Sequence, residues 1–351
     1  TLCTIIFKPS QANFGTSFRE KWVHLSGLAF LRRLVKIFFG RIRFGVPPCQ
    51  PGRHQLVKVS GKGTAKGSGI MKVTALAPSM GAEITNIDLA ACCDRATGTI
   101  DSAVIAEIRS VWLAHQMVVI RTQSISPAEQ LQFAKALGEP DIYPFLKGLD
   151  GFPMITEVLK KETETVNFGG VWHSDTTYQP CPPMATVLYA KELPPLGGDT
   201  LFANQYASYA QLSDGLKQSL TPLRGVNVAG KKQVSATRSD RVKEAGSGLS
   251  AEQMQGIHPV VRTHPETGRQ SLFVNPAHTI AFDGWSEAES EGLLSFLFTH
   301  QIAAEFQCRL HWQLGDIAIW DNRCTLHYPL NDYHGHRRLL HRITLKGDSP
   351  V

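Results

Sequence analysis

From Met71 onward the spacing of apolar and polar residues predicts most of the elements. VTALAP (73–78) leads into Met80-Gly81-Ala82-Glu83-Ile84, a short strand and turn. Residues 101–115 carry Val104, Ile105, Ile108, Val111 and Trp112 at helical spacing, ahead of a strand MVVIR at 117–121. Ser126-Pro127-Ala128-Glu129 offers an N-cap hydroxyl, a proline at the first helical position and a glutamate that closes a capping box, with Gly138 ending the helix. Between about 184 and 343 the apolar runs are short and bounded by Pro and Gly: ATVLYA, VVRTH, SLFVN, DIAIWD and HRITL. Such a series fits a sandwich or jelly roll better than a parallel sheet. One helix interrupts it, opened by the capping box Ser286-Glu287-Ala288-Glu289 and running amphipathically through Leu293, Leu294, Phe296 and Leu297 to about His300. Segment 231–255 is a polar, Gly- and Ser-bearing excursion between apolar strands, compatible equally with a lid over a site and with a tolerated surface insertion.

Composition sets the outer bounds. With 351 residues, 42% of them hydrophobic, the chain can bury a sizeable core, as one large β-rich domain or two smaller ones. Its longest apolar stretches are broken by Arg32, Arg33 and Lys36, well short of the ~20 residues of a membrane span, so no transmembrane helix is expected. The formal charge of +6 is local: residues 1–70 hold 12 of the 36 Lys and Arg and a single acid, Glu20, leaving 24 basic against 29 acidic residues beyond them. That balance gives no reason to expect nucleic-acid binding by the body of the protein. The basic leader has two readings, an Arg-rich targeting segment around FLRRLVKIFFGRIRFG or upstream sequence outside the domain. Pro47-Pro48 and the linker-like GKGTAKGSG favour the second, with the domain starting near Met71, the first methionine. Seven cysteines without a C-x-x-C pair fit small buried hydrophobes in a reducing compartment, for which the cytoplasm is the expected location.

VWHSDTTY (171–178) places an imidazole and a carboxylate two residues apart in a strand-like run. Residues i and i+2 of a strand face the same side, so His173 and Asp175 can converge on one ion. A second such triplet, His264-Pro265-Glu266, lies in the turn-forming THPETG and reads as hairpin chemistry. A non-haem Fe(II) centre needs a second histidine, and His327 in GDIAIWDNRCTLHYP is the candidate. Downstream, RRLLHRITLKG reads as a strand in which Arg338 and Arg342 share a face with Leu340 and Thr344, while Arg337 and His341 face the other way. Two inward guanidiniums need anionic partners, and their fork suits a carboxylate or sulfate-like oxyanion.

With WHSDTTY, ELPPLGGDTLFAN, HPVVRTHPETGRQSLFVN and GDIAIWDNRCTLHYPLNDYHGHRRLLHRITLKGD in this order, the chain from Met71 to its end resembles the Fe(II)/2-oxoglutarate-dependent taurine dioxygenase family. That family includes alkylsulfatases and phenoxyalkanoate dioxygenases. The resemblance implies a mainly β fold with flanking helices, a double-stranded β-helix (jelly roll, cupin-like), over 71–351. It implies His173, Asp175 and His327 as iron ligands, Thr200 and Arg338 on the distal carboxylate of 2-oxoglutarate, and Arg342 near co-substrate and substrate anion. The Thr176 backbone N–H and the rings of Tyr178 and Phe273 fall where relatives contact substrate. Taurine-specific members carry a His and a Tyr where this chain has Tyr143 and Leu146, and an Asn where it has Gly169, which points away from taurine itself and toward a less polar pocket.

The implied reaction consumes O2 and 2-oxoglutarate, hydroxylates a small anionic substrate and releases succinate and CO2. It requires neither nucleic acid nor membrane and leaves a homo-oligomer open. Two other classes compete: a Zn-dependent hydrolase, which has no need of Arg338 and Arg342, and a catalytically silent jelly-roll binding protein, which would typically have lost a metal ligand.

Overall fold

The structure is a computed structural model that describes residues 55–56, 71–143, 146–167, 169–229 and 254–351. Apart from 55–56, the basic leader lies outside the described residues, as does 230–253, most of the segment read as a lid. Two of its residues are described. Met254 packs against Tyr143, Tyr178 and Ala229, and Gln255 opens the strand Gln255–Pro259. Gln55–Leu56, inside the stretch assigned to the leader, pairs antiparallel with Lys72–Ala75, so the edge of the sheet reaches upstream of Met71.

Among the described residues the main sheet has ten strands. Reading across it, Gln55–Leu56, Lys72–Ala75, Ala82–Thr85, Met117–Ile120, Ile317–Asp321, Ala185–Glu192, Arg338–Leu345, Phe152–Lys160 and Gly148–Leu149 are neighbours, with Pro140–Asp141 also on Arg338–Leu345. Among the described residues, only the pairing of Ala82–Thr85 with Met117–Ile120 is parallel. The centre of the sheet is buried on both faces, and strand alternation divides its side chains between two cores. Val118, Ile120, Val187, Ile317, Ile319, Ile343 and Leu345 meet Ile108, Trp112 and Phe133 of the helices Ser102–His115 and Pro127–Leu137. Met117, Val119, Leu188, Ala318, Trp320 and Leu340 face the other way, onto Phe202, Cys308 and Leu310 of a three-stranded sheet, Gln307–Leu310, Thr200–Asn204 and Thr325–Pro329.

The helix boundaries follow from their caps. Asp101 accepts from Ala103 N at the first, and both expected capping boxes form, at Ser126/Glu129 and Ser286/Glu289. Gly138 ends its helix for a different reason from the usual left-handed turn. Its φ is 176°, ordinary extended backbone, and a Cβ there would lie 2.2 Å from Met184 Cε, so any larger residue would displace the end of that flexible side chain. Five cysteines, Cys92, Cys93, Cys181, Cys308 and Cys324, are free among the described residues, and Cys181 is exposed where a buried side chain is expected. No described helix is long and apolar enough to cross a membrane.

Candidate active site

The site lies between the two facing sheets. His327, on Thr325–Pro329, pairs with His173 through reciprocal backbone bonds, His173 N to His327 O at 3.0 Å and His327 N to His173 O at 2.8 Å. This bridge is a single residue pair. The expected strand through WHSDTTY does not form: after His173 the chain turns, and Thr176 takes a φ of 44°, left-handed and strained for a β-branched residue. The turn, not strand alternation, carries Asp175 back toward the two imidazoles. Asp175 Oδ1 lies 3.7 Å from His173 Nε2 and 4.0 Å from His327 Nε2, and one ligand atom from each residue falls within 4.8 Å of the others.

Each group is held in the form a metal needs. The Val171 carbonyl accepts from His173 Nδ1 at 2.7 Å, which fixes the ring and leaves Nε2 as the nitrogen facing Asp175. The His327 ring lies against Trp320, with centroids 4.6 Å apart, and near Phe202. Burial first, then the neighbouring His173 imidazole, pulls its pKa well below the ordinary histidine value, so the ring is neutral. For Asp175 burial alone would raise the carboxyl, but the Arg342 guanidinium, with Nη2 3.0 Å from Oδ2, outweighs it and holds the group well below the usual carboxylate range. Thr186 Oγ1 donates to the same Oδ2 at 2.6 Å and itself accepts from Asn322 Nδ2 at 3.2 Å. Asn322 is fixed in turn by Trp320 Nε1, and its carbonyl accepts from Ser174 Oγ. Two imidazoles and an ionised carboxylate around one point could hold a divalent metal of the non-haem iron type.

Arg338 and Arg342 enter the same cavity from Arg338–Leu345, on the face the sequence assigns them, beside Leu340. Their partners differ. Arg342 has Asp175 and lies 4.4 Å from the Tyr143 ring centre, and the carboxylate raises its pKa against the effect of burial. Arg338 forms no ion pair among the described residues: Nε and Nη2 are buried without hydrogen-bond partners, and burial pulls its pKa down against the opposing charges of Asp199 and Asp332. Thr200 lines the cavity opposite, its Oγ1 accepting from Trp312 Nε1 at 3.0 Å. The preceding GGDT turn fits closely, because Gly198, at φ 71°, would place a Cβ 3.2 Å from Arg338 Cδ. A Cβ would crowd that stem by a few tenths of an ångström, and the left-handed φ separately favours glycine.

The residues expected to meet substrate divide into two groups. Tyr143, Tyr178 and Leu146 cluster together and adjoin the cavity through Arg342. Phe273 stands apart, packed on His258 and under the Arg262 guanidinium at 4.7 Å, and lines a crevice behind Ser174 and Asn322. Gly169, at φ 74°, would place a Cβ 2.9 Å from His173 Cε1, so a side chain at this position would press on the imidazole. A second cluster, His264, Asp321 and Cys324, also brings ligand-type atoms together, but its bonds are already made. Asp321 accepts from His264 Nε2 and twice from the Arg323 guanidinium, while His264 Nδ1 accepts from two backbone N–H groups. Glu266 pairs with Arg109 and Arg323, so the H-x-E triplet is the hairpin device the sequence suggests.

Thr186, Asn322 and Lys160 are absent from the sequence reading. Each is a polar residue at the edge of an apolar run, and only strand register reveals what it faces.

The sequence profile of the taurine catabolism dioxygenase TauD, TfdA family matches residues 72–344. An alpha-ketoglutarate-dependent sulfate ester dioxygenase of Pseudomonas putida is 30% identical over 80% of this chain and 91% of its own length. An alkylsulfatase of Acinetobacter baylyi is 32% identical over 79% of this chain and 86% of its own. The crystal structure of a taurine dioxygenase from Burkholderia xenovorans superposes with a TM-score of 0.66 at 31% identity, covering 80% of this chain and 91% of that one. The mainly β fold, the paired sheets around His173, Asp175 and His327, and the length of these matches lead to one conclusion: the chain belongs to the taurine catabolism dioxygenase TauD, TfdA family.

Proposed function

We propose that the chain is a non-haem Fe(II)- and 2-oxoglutarate-dependent dioxygenase that hydroxylates a small anionic compound, a sulfate ester, sulfonate or carboxylate, and releases succinate and CO2. The observation that carries this reading is the convergence of the His173, Asp175 and His327 ligand atoms in a cavity that also holds the Arg338 guanidinium, which forms no ion pair among the described residues. The metal, when bound, supplies the oxygen chemistry. His173, Asp175 and His327 hold it. Arg338 and Thr200 take the distal carboxylate of 2-oxoglutarate, and Arg342 serves the anionic end of the substrate beside Tyr143, Tyr178 and Leu146. The aromatic and aliphatic character of that corner, with glycine at 169, favours an alkyl or aryl substrate over taurine. The two facing sheets are read as a double-stranded β-helix, and the free thiols support a reducing, cytoplasmic location.

Anaerobic reconstitution with Fe(II) and 2-oxoglutarate, followed by sulfate esters, sulfonates and carboxylates on exposure to O2, tests the assignment. Succinate release that depends on one of these classes is expected. Turnover that needs Zn(II) and no 2-oxoglutarate would overturn the oxygenase reading.

The Thr186 hydroxyl makes a separate prediction. Thr186→Val keeps the shape and removes the donor to Asp175, and partners of metal ligands are worth ~10–100-fold in metal affinity. A loss in that range is expected by Fe(II) or Co(II) titration of folded protein; unchanged affinity would show that Arg342 alone orients the carboxylate.

A further inference from the structure

Lys160 ends the strand Phe152–Lys160 and stands directly opposite Arg338 in the antiparallel pair. Opposed residues of a pair project to the same face, and both line the cavity that contains His173, Asp175 and His327. Lys160 is 4% exposed, and its Nζ has no hydrogen-bond partner. Arg338, 5% exposed, presents Nε and Nη2 equally unpartnered. Nearby acids are engaged elsewhere: Asp199 by Arg309 and His311, Asp332 by the Gly198 N–H, and Glu164, whose charge reaches Lys160, by the Lys161 N–H. What lies between the two cations is the Tyr333 ring, 4.1 Å from Lys160 Nζ and 6.0 Å from Arg338 Cζ, its hydroxyl donating to Asn167 Oδ1 at 3.0 Å.

Two buried cations lining one cavity from opposed strand positions, neither of them in an ion pair, are unfavourable unless an anion completes them. Burial accordingly pulls the Lys160 pKa down. Tyr333 stabilises the ammonium through its face but cannot neutralise it. Arg342, four residues along the same strand, has its counter-ion in Asp175; at the Lys160 and Arg338 end no described acid lies within ion-pair distance, although the charges of Glu164, Asp199 and Asp332 reach it.

We infer that Lys160 is a second cation for the distal carboxylate of the 2-oxo acid, acting with Arg338 to make the site selective for a dicarboxylate. The inference rests on the oxygenase reading above. Tyr333 and Asn167 act as its positioning residues, fixing the ring on which the ammonium rests.

The test uses the full chain loaded anaerobically with Fe(II), and compares the binding of 2-oxoglutarate with that of 2-oxovalerate, which has the same chain length without the distal carboxylate. A charge-assisted hydrogen bond is worth about 1.5–3 kcal/mol, so Lys160→Met should weaken 2-oxoglutarate binding roughly 10- to 100-fold. Binding of 2-oxovalerate and of the metal should change less than about twofold, because neither meets the lost charge. Lys160→Arg should keep the preference for the dicarboxylate. If Lys160→Met folds poorly, Lys160→Gln retains most of the stem and carries the same expectation. Equal losses for both acids, or a lowered melting temperature with unchanged affinities, would make Lys160 a structural brace on Tyr333 and overturn the inference. Failure of the unsubstituted protein to bind 2-oxoglutarate at all would instead overturn the oxygenase reading itself.

Discussion

His173→Ala, Asp175→Ala and His327→Ala are each expected to abolish substrate-dependent succinate formation, and with it tight binding of Fe(II). Each variant removes one of three donors whose atoms converge within 4.8 Å, and two donors cannot hold the metal against water in a fixed orientation. The three should differ in stability, which gives the test a second axis. Removing either imidazole leaves the Arg342 and Asp175 pair intact. Asp175→Ala strands a guanidinium that is 4% exposed, and breaking a buried pair from one side costs about 3–5 kcal/mol. Thermal unfolding should therefore rank Asp175→Ala lowest, with Asp175→Asn between it and the histidine variants. Metal titration, succinate assay and circular dichroism on the same preparations decide the matter. A folded variant that still turns over at the parent rate would remove its residue from the metal site.

The site was legible in the sequence where a residue's role is local, and illegible where it depends on register. The face shared by Arg338, Leu340, Arg342 and Thr344 follows from strand alternation alone, and the structure has it, with Arg337 outside on Glu192 and His341 on the opposite side beside Tyr189. Helix starts were readable for the same reason, since a capping box is closed by residues three apart. The approach of His173 to Asp175 was expected for the wrong physical cause, because a one-residue bridge and a left-handed Thr176 cannot be told from a strand in eight residues of sequence. The setting of Phe273 is decided at longer range: its hairpin packs it on His258 and Arg262, contacts that no local pattern encodes.

Register also explains what was missed. Thr186 in ATVLYA reads as a tolerated hydroxyl in a buried strand, and only its place opposite Trp320, with the Asp321-Asn322 turn folded beside it, makes it a donor to Asp175. The same pairing gives the site rigidity, because Trp320, Asn322, Thr186 and Asp175 are joined by successive hydrogen bonds on the two central strands and the turn that leaves them. A ligand carboxylate sited on a turn is thus held by side chains anchored in the centre of the sheet, where local unfolding is least frequent.

Arg338→Ala and Arg342→Ala should separate into two phenotypes, although the residues share one face of one strand. Arg338 forms no ion pair among the described residues, so its anion must come from outside, and losing a buried, hydrogen-bonded charge contact of this kind costs about 2–5 kcal/mol. At ~1.4 kcal/mol per tenfold, Arg338→Ala should weaken 2-oxoglutarate by ~30-fold or more while metal affinity holds. Arg338→Lys should rescue only part of that loss, because an ammonium cannot reproduce the bidentate fork and the neighbouring Lys160 already supplies a point charge. Arg342 is tied to Asp175 at 3.0 Å and lies against Tyr143, so Arg342→Ala should weaken metal binding and the use of the anionic substrate at least as much as it weakens 2-oxoglutarate. Anaerobic titration with 2-oxoglutarate, followed by the charge-transfer absorption of the Fe(II) chelate, reads the first effect; metal titration and substrate saturation read the second. Unchanged 2-oxoglutarate affinity in Arg338→Ala would move the anchor elsewhere, and matching losses for all three ligands in both variants would mean that the two guanidiniums act as one electrostatic unit.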